Sequence, residues 1–149
     1  MRNLMRTDAG SALVEMLLIA PVLLILLIGL IEVGRIDDFA IRVGNAARAG
    51  VQFGAQNEAT AGDTQGMQNA ANTDAQNSSI TSVAVPTYCK CADGTASTCQ
   101  QGDCATSHRL QWVKVTASGT FSTGLNSLFL PVSLRTITIS QTAIMRVAQ

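Results

Sequence analysis

Residues 10–35 read GSALVEMLLIAPVLLILLIGLIEVGR. A glycine is followed by four small or apolar residues, Ser11 to Val14, and then by a single acid, Glu15. Sixteen uncharged residues follow, Met16 to Ile31, and Glu32 closes the run. At 1.5 Å per residue that run covers about 24 Å, and Ala12 to Val14 bring it close to the ~30 Å hydrocarbon core of a bilayer. The stretch therefore predicts a membrane-length helix with an acid near its start. A carboxylate in hydrocarbon costs about 2.5–3.5 kcal/mol on insertion scales, which makes Glu15 a functional candidate. The competing reading puts Glu15 at headgroup level, but Ala12, Leu13 and Val14 extend the apolar run outward beyond it.

Met1 to Gly10, MRNLMRTDAG, reads as a short basic leader. Arg2 and Arg6 flank the helix on its N-terminal side, so the positive-inside rule expects a cytoplasmic N-terminus and a single pass. A removable secretory signal is the rival reading. The long apolar run, the acid at its front and the lack of an A-x-A-like site speak against it. Pro21 lies within the helix, removes one backbone bond and is expected to kink or loosen the preceding turn.

Beyond Ile31 the helix is expected to continue to about Gln56. At 100° per residue Val33, Ile36, Ala40, Val43, Gly44, Ala47, Gly50, Val51 and Gly54 share one face. Asp38 and Arg42 fall opposite and form a favourable i,i+4 pair. Within the apolar face Ala40, Gly44, Ala47, Gly50 and Gly54 make a stripe that lets another backbone approach closely. Either the protein's own sheet or a helix of a neighbouring subunit fits against it. Each glycine lowers intrinsic helicity by about 1 kcal/mol relative to alanine, so packing has to compensate.

Residues 57–66 read as a loop with Gly62-Asp63 as the turn, and 64–76 as a second helix with Met67, Ala70, Ala71 and Ala75 on one side. Three strands are expected after it. Residues 80–87 present Val83 and Val85 on one face. Residues 110–121 present Val113, Val115, Ala117 and Phe121, with Gly119 as a bulge position. Residues 134–147 present Ile137, Ile139, Ala143, Met145 and Val147, with Thr136, Thr138, Ser140 and Thr142 facing water. The alternation marks a one-sided antiparallel sheet. Trp112 and Lys114 share the outward face, where Trp112 either binds a partner or covers the loop or second helix. Residues 123–131 connect the last two strands, and Leu128, Phe129 and Leu130 are expected under the sheet or as a docking patch.

Here the sequence resembles a known family. A glycine, four residues and a glutamate ahead of an apolar helix resemble the processing site of type IV pilin-like proteins. The wider string looks like the TadE-like minor pseudopilins of the tight-adherence (Tad, or Flp) pilus. Gly10, Ala12, Val14, Glu15, Pro21, Gly29, Glu32, Gly34 and Arg35 carry the resemblance, with Asn45 to Gly50 and the residues from Ile137 to Arg146. It implies that a prepilin peptidase cuts between Gly10 and Ser11, so that Glu15 becomes the fifth residue of the mature chain. Glu15 then pairs with the new amino group of Ser11 on a neighbouring subunit. The implied partners are the peptidase, other pilins and minor pseudopilins, and the inner-membrane assembly platform. Major pilins of the system are much shorter, so a chain with a full C-terminal domain fits a minor component. One departure is Met16, where an aromatic commonly follows the glutamate.

The expected fold is α+β and pilin-like: a leader over 1–10, a transmembrane or filament-core helix over 11–31, and an exported domain over 32–149. In that domain the helix packs on a three- to four-stranded antiparallel sheet with a disulfide-stapled loop. The cysteines are Cys89, Cys91, Cys99 and Cys104. Outside the cytoplasm disulfides persist, and Cys89 with Cys91 is sterically poor across one residue. The nested set, Cys89–Cys104 with Cys91–Cys99, suits a hairpin whose strands converge on the loop and is preferred to the crossed set. Zinc is a weak rival, since the spacing lacks the ribbon pattern and His108 is the single histidine. The loop reads as a recognition surface or simply as a rigidified surface loop.

Lys+Arg and Asp+Glu both number 10, so the formal charge is zero and nothing suggests nucleic-acid binding. No nucleophile elbow, phosphate-cradling loop or paired catalytic carboxylates are present, so no enzyme, metal or cofactor is expected. Two functions stand. One is a pseudopilin for pilus assembly, surface adhesion and biofilm formation, with a type II secretion pseudopilin as its close variant. The other is an ordinary single-pass membrane protein with an extracytoplasmic binding domain.

Overall fold

The computed structural model describes residues 5–76, 79–100, 102–124 and 136–148. The chain divides into two compact units, Met1–Asp37 and Asp38–Gln149. One helix, α1 (Met5–Gly54), contributes to both and runs through Pro21 as continuous helix. Proline has no N–H, so the carbonyl four residues back, that of Leu17, loses its helical donor. Membrane helices tolerate such losses. The helix ends two residues earlier than the pattern suggests, at Gly54 rather than Gln56.

The segment expected as a plain loop contains a short helix, α2 (Glu58–Gly62). A capping box creates it. Asn57 Oδ1 accepts from Thr60 N–H at 2.9 Å, and Asn57 N–H donates to Thr60 Oγ1 at 3.1 Å. Next, α3 (Thr64–Ala75) starts where Asp63 Oδ1 accepts from Gly66 N–H at 2.8 Å. It buries Met67, Ala71 and Ala75, the expected side.

The sheet has four antiparallel strands in the order β2-β1-β3-β4. They are β1 (Ile80–Cys91), β2 (Ala96–Ser97), β3 (Arg109–Ser122) and β4 (Thr136–Arg146). All four are antiparallel in register, and α+β with one long N-terminal helix is the observed architecture. β3 shows the predicted alternation, with Val113, Val115, Ala117 and Phe121 buried. The face of β1 is the opposite of the one expected. Ile80 and Ala84 are buried, while Val83 is 59 % exposed. The reason is α3: Ser82 Oγ, on the inner face, bonds Asn72 Oδ1 at 2.8 Å, and small Ala84 lets the helix come close. Gly119 is no bulge, since it pairs in register with both Ile80 and Ile139. The irregularity falls instead between Val85 and Tyr88, around Pro86, which cannot donate to the ladder.

The core joins Val51 and Ala55 to Ala61, Met67 and Ala71 and to Ala84, Val113, Val115 and Val147. A fully buried Val or Met contributes about 1.5–3 kcal/mol. The end of β4 is tied down by Val147 N–H donating to Gln111 O at 2.9 Å, and Ala148 N–H to Ala55 O at 2.8 Å. The apolar face of β4 is less covered than its pattern suggests, with Ile137 and Met145 each 38 % exposed. The expected apolar turn Leu128-Phe129-Leu130 lies outside the described residues.

Candidate functional site

From Ala12 onward α1 carries an apolar surface that its own unit leaves open. Leu17 is 76 % and Leu30 73 % exposed, against 0 % for Val43 farther along the same helix. By length and composition this is a helix able to cross a membrane, beginning at Ala12. Gly10 and Ser11 lie within the helical backbone. Glu15 is exposed, one turn on from that bond, and no ion pair holds it among the described residues. At the other end of the apolar run Arg35 Nη1 meets Glu32 Oε2 at 2.8 Å. The expected Arg42–Asp38 pair forms at 2.9 Å on the exposed face. An exposed pair such as Arg42–Asp38 contributes about 0.2–1 kcal/mol.

The small-residue stripe serves two different surroundings. A Cβ on Gly50 would sit 3.0 Å from Met67 O and from Val115 Cγ1. One on Gly54 would collide with the Met67 thioether and come within 3.3 Å of Val113 Cγ1. Those two glycines, with buried Ala47, bring α1 against its own α3 and β3. Gly44 differs, because a Cβ there would meet nothing within 4 Å. With Ala40, Ile41, Asn45, Arg48 and Gln141 it lines an open groove between α1 and β4. Phe39 and Ala46, absent from the expected face, are buried. The buried stripe is therefore rotated toward them.

The cysteine loop follows the crossed rather than the nested connectivity. Cys89 joins Cys99, and Cys91 joins Cys104. The physical reason is β2, which the sequence pattern misses. Cys89 pairs with Ser97 in the β1–β2 register, so Cys99 lies two residues beyond its partner and within reach. Cys91, on the same face two residues along, is left to Cys104.

Two carboxylates organise the turns of that loop. Asp103 Oδ2 accepts from Thr98 Oγ1 and Thr98 N at 2.7 Å, Gln100 N at 3.1 Å and Ser97 Oγ at 3.2 Å. The Thr98 hydroxyl and the Gln100 amide hold its pKa below the usual value of 3.8. Asp93 Oδ1 accepts from Thr95 Oγ1 at 2.6 Å and from Thr95 N at 2.9 Å, which lowers its pKa in the same way. Arg109 Nη1 donates to Cys99 O at 2.7 Å, and Nη2 lies 3.5 Å from Glu58. Sequence reasoning missed these residues. The Asp93-Gly94 dipeptide, with Gly94 at φ 89°, was the available turn signal. No group of three or more His, Cys, Asp or Glu side chains placed to hold a metal occurs among the described residues.

Residues 10–52 match the model of a family described as TadE-like protein. The match begins at Gly10, takes in the exposed apolar helix with Glu15, and stops before the sheet and the stapled loop. No curated protein and no solved structure matches the chain.

Proposed function

We propose that the protein is a minor pseudopilin of the Tad pilus, a reading that the match of residues 10–52 to a TadE-like family model supports. The observation that carries the reading is the Gly10–Glu15 spacing at the start of an apolar helix left uncovered by its own unit. A prepilin peptidase cuts after Gly10. The helix then anchors the chain in the inner membrane by a single pass, with the domain that follows on the periplasmic side, or outside the cell once in the pilus. The role is structural rather than enzymatic, and the partners are other pilins, minor pseudopilins and the assembly platform.

Glu15 is the assembly residue of this reading. In the membrane its charge is costly alone. The amino group freed at Ser11 of a neighbouring subunit offsets that cost and gains its own partner. At 4 Å and an effective dielectric of 20 the attraction is about 4 kcal/mol. A helix slipped by one turn leaves both charges unpaired, so the pair also sets register.

Genetic complementation tests the role. Cells lacking the protein are expected to lose surface pili and attachment. The wild-type chain restores both, and the Gly10→Val and Glu15→Ala chains, present at equal levels in the membrane, do not. Full piliation with either variant contradicts the reading.

A further inference from the structure

The sheet's outer face, turned away from α1 and α3, carries a cluster that pilus assembly leaves unused. Trp112 stands at its centre, while Val113 and Val115 of β3, on the opposite face, point into the core. Tyr88 is directly opposite Trp112 on β1, and Arg146 is directly opposite on β4. Directly opposed side chains are about 4.5–5.5 Å apart at Cβ, so the three form one row across the sheet. Lys114 is two residues along β3, and Lys90 lies on the diagonal, opposite Leu110. Tyr88, Trp112 and Lys114 are half-buried, while Lys90 and Arg146 are exposed. The indole Nε1 of Trp112 is itself buried and has no hydrogen-bond partner.

The charges on this face are of one sign. Strands β1, β3 and β4 contain Lys90, Arg109, Lys114 and Arg146 and no Asp or Glu. From Cys104 to Gln149 the chain has no acid at all. The two acids of the preceding loop, Asp93 and Asp103, are held by their own threonines. Among the described residues Lys90, Lys114 and Arg146 make no ion pair. A neutral protein has thus gathered three cations around a cross-strand Tyr88–Trp112 pair, a surface complementary to a polyanion with flat, partly apolar faces.

We propose that this face binds an acidic polysaccharide, its sugar rings lying on Trp112 and Tyr88 and its carboxylates meeting Lys90, Lys114 and Arg146. The proposal rests on the extracytoplasmic placement given under Proposed function. Trp and Tyr supply rigid amphipathic contact area at low entropic cost. A nucleic acid fits less well, because its affinity grows with the number of phosphates neutralised and this face offers three cations on a chain of zero net charge. A lipid surface also fits less well. Three cations spread among half-buried rings suit a carboxylated sugar chain better than a bilayer.

The test uses the full-length protein in neutral-lipid nanodiscs. Its binding to immobilised polygalacturonate is compared with dextran, oligothymidylate, poly-glutamate and phosphatidylglycerol vesicles. Polygalacturonate is expected to bind, more weakly as salt rises, and dextran not. Lys114→Glu, Arg146→Glu and Trp112→Ala each weaken binding about fivefold or more. Trp112→Tyr retains most of it, and Arg42→Glu, off this face, changes nothing. Unaltered melting temperatures show that the variants stay folded. No binding to polygalacturonate, binding indifferent to the face variants, or tighter binding to any other probe overturns the proposal. The mass of the protein recovered from its native membrane reports cleavage after Gly10 separately, so the two readings fail independently.

Discussion

Phe39 on α1 and Phe121 on β3 pack with ring centroids 5.6 Å apart and ring planes at 53°. Beside them, a Cβ on Gly119 would come within 2.7 Å of Phe39 Cζ and 3.0 Å of Ile80 Cγ1. The absent side chain at 119 is what lets α1 and the sheet meet at this end. Gly119→Val is therefore expected to destabilise the domain by about 1–3 kcal/mol through overpacking. Phe39→Ala is expected to cost about 3–5 kcal/mol through the cavity it leaves. Urea unfolding of the detergent-solubilised chain, followed by Trp112 fluorescence, measures both.

The glycines of α1 divide by role. Gly50→Ala puts a methyl 3.0 Å from Met67 O and should lower stability by about 1 kcal/mol or more. Gly44→Ala meets open space and should raise it by up to about 1 kcal/mol, the difference in helix propensity. If the groove at Gly44 receives a neighbouring subunit, Gly44→Val keeps the fold but blocks incorporation into pili. Thermal melts of the three variants, set beside their recovery in sheared pili, separate self-packing from assembly.

Much of this was legible from residue patterns alone. The apolar run, the β3 alternation and Met67, Ala71 and Ala75 on α3 follow from periodicity, which records burial directly. The face of β1 did not, because Val83 and Ala84 differ in hydropathy in the sense opposite to their burial. Space beside α3, rather than apolarity, decides between them. The disulfide connectivity was hidden for a similar reason. It depends on β2, whose two residues are too few to leave a pattern.

The crossed connectivity predicts a specific peptide map. Cleavage after Lys and Arg and before Asp separates all four cysteines, since Lys90, Asp93 and Asp103 lie between them. Under non-reducing conditions residues 74–90 should remain joined to 93–102, and residues 91–92 to 103–109. A link between 74–90 and 103–109 would restore the nested set. Closing loops of this length stabilises by about 3 kcal/mol each in the chain-entropy view.

The loop should loosen in acid. Asp103 and Asp93 both titrate below the ordinary value of 3.8, held there first by the hydroxyls of Thr98 and Thr95. A folded-state pKa below the unfolded one contributes stability that is complete above the ordinary carboxylate range. It is lost as pH falls through the folded values. Carboxyl-carbon NMR titration should place both midpoints below 3.8. Amide exchange at Thr98 and Gln100 should accelerate over the same acid range, and Asp103→Asn should abolish that pH dependence.

The most direct measurement of the central claim is the N-terminal sequence and intact mass of the protein recovered from its native membrane. A chain that begins at Ser11, and that no longer does so when Gly10 is replaced, is what pseudopilin processing predicts. A chain that keeps Arg2 and Arg6 ahead of the helix contradicts it and leaves a membrane-anchored binding domain. A chain that starts beyond Ile31 shows that the apolar run was a cleaved signal.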